Sequence, residues 1–186
     1  MNQVYSSIEA GLEQPQLVSS LQLSKQRLEI LPTSIGAFTN LTLLNLWLNN
    51  LTTLPEEIAQ LHYLITIDIS NNNFLTFPEV LFSEGLQNLK NINARFLQLE
   101  SLPLDIQKIT KLESLDLTGN KLTSLPEEIG NLEHLSMLRL NQNQIQTLPK
   151  SLQHCKKLKV LHIQNNPIVS KEEIQSCVPE TCVIVF

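Results

Sequence analysis

Leu41-Thr-Leu-Leu44-Asn-Leu46-Trp-Leu-Asn49-Asn-Leu51-Thr-Thr-Leu54-Pro55-Glu-Glu-Ile58 decides the fold, because Leu112 to Ile129 repeats it almost letter for letter. Written LxxLxLxxNxLxxLPxxIxxL, the unit can be laid from Val18, Leu41, Leu64, Leu89, Leu112, Leu135 and Leu158, giving six full copies and a truncated seventh. The starts lie 23 residues apart except between Leu64 and Leu89, where the interval is 25. The two added residues predict a small bulge at Ser83-Glu84-Gly85, on the outer side of the third turn. A period of this length means stacked units, none of which can bury its apolar face alone.

Each place in the unit has a physical task. In Leu44-Asn45-Leu46 and Leu115-Asp116-Leu117 apolar and polar residues alternate, the period of a half-buried strand whose leucines face inward. Asn49, Asn72, Asn120, Asn143 and Asn166 recur at the ninth place, where the chain turns; their amides can pair with backbone groups of neighbouring coils, a structural asparagine ladder. The Leu-Pro step of Leu54-Pro55 and Leu125-Pro126 holds the backbone extended and suits the first turn of a short helix. Ile35, Ile58, Leu81, Ile106, Ile129 and Leu152 then turn the outer segment towards the core. Close-packed strands on one side and bulkier segments on the other bend such an array, with the sheet on the concave face.

The ends need caps. Ser6-Ser7-Ile8-Glu9 reads as a capping box opening a helix with Val4, Ile8 and Leu12 on one face, so residues 1–17 form a helical cap. Repeats fill 18–168, and 169–186 close the other end with a second capping box, Ser170 to Glu173, and the β-rich tail Cys182 to Phe186. The whole is one domain.

Composition narrows the function. A net charge of −5 and a pI near 5.4 supply no field for phosphate backbones, so nucleic acid is not an expected partner. No stretch approaches a membrane span, and Met1 to Gln14 lacks the apolar run of a leader; the cytoplasm is the default expectation, with secretion or surface exposure following if a leader lies upstream. Cys155, Cys177 and Cys182 include no CxxC pair suited to zinc, so neither metal nor cofactor is expected. Cys177 and Cys182 could pair if the protein is exported.

These residues resemble the leucine-rich-repeat family from about Val18 to Ile168, and Pro55 to Ile58 and Pro126 to Ile129 are similar to its LPxxI type, seen in bacterial members and Ras-interacting scaffolds. The resemblance implies an α/β solenoid: a right-handed curved stack with a parallel sheet on the concave face and short helical or 3-10 segments on the convex face. It further implies a protein-interaction module, whose partner differs from member to member.

Strand places three, five and seven should project onto the concave face, with place eight at its rim. The third row contains Leu43 and Met137, and the fifth contains Asp68, Asp116, Arg139 and His162; Trp47 and Arg95 stand in the seventh and Leu48 and Phe96 at the rim. Together they are the candidate contact surface for a protein partner, bound by a monomer. Trp47, the only tryptophan, is the hot-spot candidate, against the reading that it folds back as a lid. Arg95 could anchor a carboxylate or simply be solvated. In the fourth repeat Leu97 replaces the ladder asparagine and reads as core, while Phe96 reads equally as functional or as packing. Asp116 and Arg139 read first as an exposed ion pair.

Two rival classes remain. Asp68 and Asp116 lie about 10 Å apart, near the separation of an inverting glycosidase pair, but an open surface offers no desolvated pocket and no nucleophile has a base beside it, so no enzyme is expected. An exported adhesive or structural protein is the other.

Overall fold

The computed structural model describes residues 3–186, so Met1 and Asn2 of the expected cap lie outside the described residues. Among the described residues nine strands form one parallel sheet in sequence order: β1 (Gln3–Tyr5), β2 (Val18–Gln22), β3 (Leu43–Asn45), β4 (Thr66–Asp68), β5 (Asn91–Asn93), β6 (Ser114–Asp116), β7 (Met137–Arg139), β8 (Val160–His162) and β9 (Val183–Val185). From β2 to β8 the register matches one unit to the next: Ser20, Leu43, Thr66, Asn91, Ser114, Met137 and Val160 stand side by side, as do Gln22, Asn45, Asp68, Asn93, Asp116, Arg139 and His162. The middle residues of these strands, Leu21 to Leu161, are fully buried. The molecule is a leucine-rich solenoid whose apolar column runs its full length.

Opposite the sheet, each Leu-Pro step launches a 3-10 segment, as in Glu56–Gln60 and Glu127–Asn131. The proline caps the segment from outside: Pro55 is extended at φ −71°, and its carbonyl accepts from Ile58 N–H at 3.1 Å, the i→i+3 bond of a 3-10 turn. Ile35, Ile58, Ile106, Ile129 and Leu152 from these segments are wholly buried. In the 25-residue coil the added residues make a second 3-10 turn, Glu84–Leu86, after Glu79–Phe82. A Cβ on Gly85 would stand 1.9 Å from the Ala59 carbonyl oxygen, so only glycine lets this turn lie against the preceding coil.

The N-terminal end differs from the expected helix. Val4 lies in β1, paired with β2, and is 66% exposed; the helix α1 is confined to Ile8–Leu12 and buries Ile8 but leaves Leu12 at the surface. Ser7, extended at φ −141°, is its N-cap and accepts from Ala10 N–H, so Glu9 is not part of a reciprocal box. At the other end Ser170 caps α2 (Lys171–Ser176) by accepting from Glu173 N–H, and Cys182 to Phe186 contributes β9. Cys177 and Cys182 stand as free buried thiols, with their sulfurs against the Leu148 and Val183 carbonyls.

Candidate functional site

The ninth-place asparagines knit the turn at the C-terminal ends of the strands. Asn120 donates to the carbonyls of Ala94 and Leu117 and accepts from the N–H groups of Leu97 and Leu99. Asn49 makes the equivalent four bonds near the start of the stack, and Asn72 and Asn143 donate to three carbonyls each while accepting from Leu51 and Leu122. Asn166, the last rung, is half-buried. Leu97 leaves no rung in the fourth coil; it is fully buried, and Phe74 lacks the amide acceptor that serves Leu51, Leu99 and Leu122.

Just before each rung, place eight adopts left-handed backbone in every coil: Lys25, Leu48, Asn71, Phe96, Gly119, Gln142 and Asn165 have φ between 54° and 72°. The turn out of the strand requires this conformation, which costs L-residues other than Asn, Asp and Gly roughly 1–2 kcal/mol. Leu48 and Phe96 occupy it with apolar side chains 44% and 46% exposed. Phe96 lies over Gly119, where a Cβ would come within 2.2 Å of its ring. Gly119, Asn71 and Asn165 at the same place were the available sequence signal for this turn.

Trp47 is half-buried; its backbone N–H is taken by the Asn45 side chain, and the Lys25 ammonium lies 4.7 Å from the ring centroid. Lys25 was not among the expected site residues. Leu43, in β3, is half-buried on the same face, as are Met137 and His162 further along. Asp68 accepts from Ser70 N–H and from the Asn93 amide.

Asp116 departs from the exposed ion pair. It is only 5% exposed, accepts from Thr118 N–H through Oδ1, and has Arg95 Nε and Arg139 Nη1 each 4.0 Å from Oδ2. The two arginines flank it from the coils on either side, so it sits as a recessed carboxylate between two cations. Arg95, Phe96, Asp116 and Arg139 line one open cavity of about 560 Å³ with Asn93, Thr118 and Gln142, which sequence reasoning did not single out. Trp47 and Leu48 lie two coils away, outside this cavity.

A second cavity, about 620 Å³, lies on the flank beside the strand N-termini and is lined by Glu113, His134, Ser136, Lys156, Lys157, Leu158, Lys159 and Thr181. There the Lys90 ammonium, 2.8 Å away, holds the half-exposed Glu113 carboxyl below its usual range, against the opposing effect of burial. Among the described residues no group of acidic, histidine or cysteine side chains could hold a metal ion, and no helix is long and apolar enough to cross a membrane.

Two Leucine rich repeat family profiles match, one over residues 110–168 and one over 63–84. The chain is a leucine-rich-repeat protein. Solved structures similar to this leucine-rich-repeat protein include a leucine-rich-repeat protein of Leptospira interrogans, 27% identical, covering 91% of this chain and 54% of that one, with a TM-score of 0.53. The Arabidopsis receptor kinase HAESA, in complex with a peptide hormone and a co-receptor, is 27% identical over 88% of this chain and 28% of its own, with a TM-score of 0.72. The plant peptide hormone receptor in complex with RGF2 is 25% identical over 100% of this chain and 34% of its own, TM-score 0.66. This chain thus spans about half the length of the first and about a third of the others. No curated protein matches it.

Proposed function

We propose that this leucine-rich-repeat protein is a non-enzymatic module that binds a protein partner on its sheet face, the concave face of the solenoid. The carrying observation is that Leu48 and Phe96, in left-handed backbone that favours Asn or Gly, keep apolar side chains half in solvent along one rim. The turn needs this backbone but not an exposed apolar side chain, so that choice of residue at these two places points to use. The plant receptors similar in fold are complexes with peptide hormones, which supports a peptide or protein as partner here. The carboxylates Asp68 and Asp116 are taken up by protein donors on an open surface, which favours binding over catalysis.

The test compares Leu48→Asn/Phe96→Asn with Glu56→Lys/Glu79→Lys, two exposed sites in the first turns of the outer 3-10 segments. Relief of the left-handed backbone and loss of half-buried apolar area are each about 1 kcal/mol and nearly cancel, so melting should barely move. In affinity capture from the protein's own cells, bands retained by the native protein should persist with the outer pair and vanish with the rim pair. Loss with the outer pair, or retention with the rim pair, refutes the sheet-face assignment.

A further inference from the structure

We propose that Arg95 and Arg139, held on either side of the buried Asp116 carboxylate, form a receptor for a carboxylate carried by the partner, with the Phe96 ring as its apolar wall. The inference rests on the sheet-face reading and supplies the chemistry of what is bound there.

The donors are present and unspent. An arginine side chain offers five N–H donors in a rigid fork matched to a carboxylate. Among the described residues neither Arg95 nor Arg139 donates a side-chain hydrogen bond to a protein acceptor; each reaches Asp116 only at 4.0 Å, beyond hydrogen-bonding distance. Arg95 Nε is itself buried with no hydrogen-bond partner.

The charges are gathered around one anchored carboxylate and incompletely compensated. Asp116 is one negative charge between two positive ones, and Asp68 does not line the cavity, so the cavity wall carries a surplus of one positive charge in a protein of net charge −5. Asp116 is anchored by Thr118 N–H, and Arg95 by Ser70 Oγ at its backbone N–H. The side chains of Arg95 and Arg139 remain 41% and 35% exposed, so their free donors face the cavity side of a fixed carboxylate. Phe96 leans over Gly119 at the same cavity, giving low-dielectric material beside the guanidinium groups, where an ion pair is screened less. The lysines of the flank cavity, Lys156, Lys157 and Lys159, form the competing cationic surface, but there Glu113 sets an opposite charge on the same wall and Lys157 lies 3.1 Å from His134 Nδ1.

A carboxylate can come from an Asp or Glu side chain or from the free C-terminus of a polypeptide, and three probes separate these sources. Nitrogen-15-labelled protein is titrated with acetyl-Ala-Leu-Glu amide, acetyl-Ala-Ala-Leu free acid and the neutral acetyl-Ala-Leu-Gln amide, while the Nε–H signals of Arg95 and Arg139, the Trp47 indole and the backbone amides are followed. At least one acid peptide should shift both arginine signals together and saturate by about 20 mM, the responding one naming the source, whereas the neutral peptide leaves them still. Arg95→Gln and Arg139→Gln should each weaken that binding about tenfold or more. Equal shifts with the neutral peptide, saturation at Lys156 to Lys159 instead, or no saturable shift overturns the receptor. If all three peptides move the Trp47 indole while both arginines stay still, the carboxylate receptor falls and the sheet-face reading stands.

Discussion

Replacing Asn120 by alanine removes four hydrogen bonds from a side chain 6% exposed. The groups do not suffer equally. Leu117 C=O also accepts from Asn143, so it keeps a partner. Leu97 N–H, Leu99 N–H and Ala94 C=O lose the one that Asn120 supplied, in a turn without room for a full solvent shell. A buried polar group left unpaired costs about 1–3 kcal/mol; taking the lower bound for each, Asn120→Ala should cost roughly 3 kcal/mol. Asn166→Ala is the internal comparison, because that rung is half-exposed and water can replace it; it should cost about 1 kcal/mol or less. Urea unfolding followed by circular dichroism measures both. Near-equal losses, or a loss at Asn120 below about 0.5 kcal/mol, would show that water or backbone adjustment satisfies these groups and that the rungs do not hold the coils.

Gly119→Ala adds left-handed strain of about 1 kcal/mol and a Cβ inside the Phe96 ring contact, so it should destabilise by about 2 kcal/mol; in a Phe96→Ala background the loss should fall to the backbone share, and an undiminished loss would mean the ring is not what the Cβ meets. Cys155 is pushed up to about 11 by burial, so at pH 8 roughly one thiol in a thousand is ionised. Iodoacetamide should therefore label Cys155 in native protein far more slowly than in urea-unfolded protein, and comparable rates would contradict its burial.

The repeat made the sheet legible because two periods coincide. Alternation within Leu44-Asn45-Leu46 fixes which side chains point inward, and the 23-residue interval places equivalent residues on adjacent strands, so the rows Ser20 to Val160 and Gln22 to His162 follow by counting. Where only one period operates, the reading is ambiguous. Val4, Ile8 and Leu12 satisfy a helical spacing, yet Val4 pairs on the sheet edge, and Ser7 starts the helix only at Ile8. A short apolar spacing cannot distinguish these outcomes, since the backbone of β2 decides them. The burial of Asp116 was equally hidden. Its row neighbours Asp68 and Asn93 stay half-exposed; Arg139 is its partner within the row, but Arg95 reaches it from the seventh row of the preceding coil, a diagonal relation that counting within rows does not reveal.

Place eight joins the fold to its surface. The exit from each strand needs left-handed backbone whatever residue stands there, so Asn71, Gly119 and Asn165 meet the requirement cheaply and Lys25 and Gln142 with polar side chains. Leu48 and Phe96 meet it with apolar ones, two coils apart, about 10 Å along the rim at the usual strand spacing. That backbone is tied to the next coil: Leu48 N–H donates to the Ser70 carbonyl and Phe96 N–H to the Thr118 carbonyl. A side chain projecting from a turn tied in this way loses little freedom when a partner covers it, so its apolar area converts into affinity more fully than the same area on a mobile loop. The constraint that makes these positions costly for folding is therefore what would make Leu48 and Phe96 effective for binding, and it explains how a regular stack can carry an irregular, specific rim.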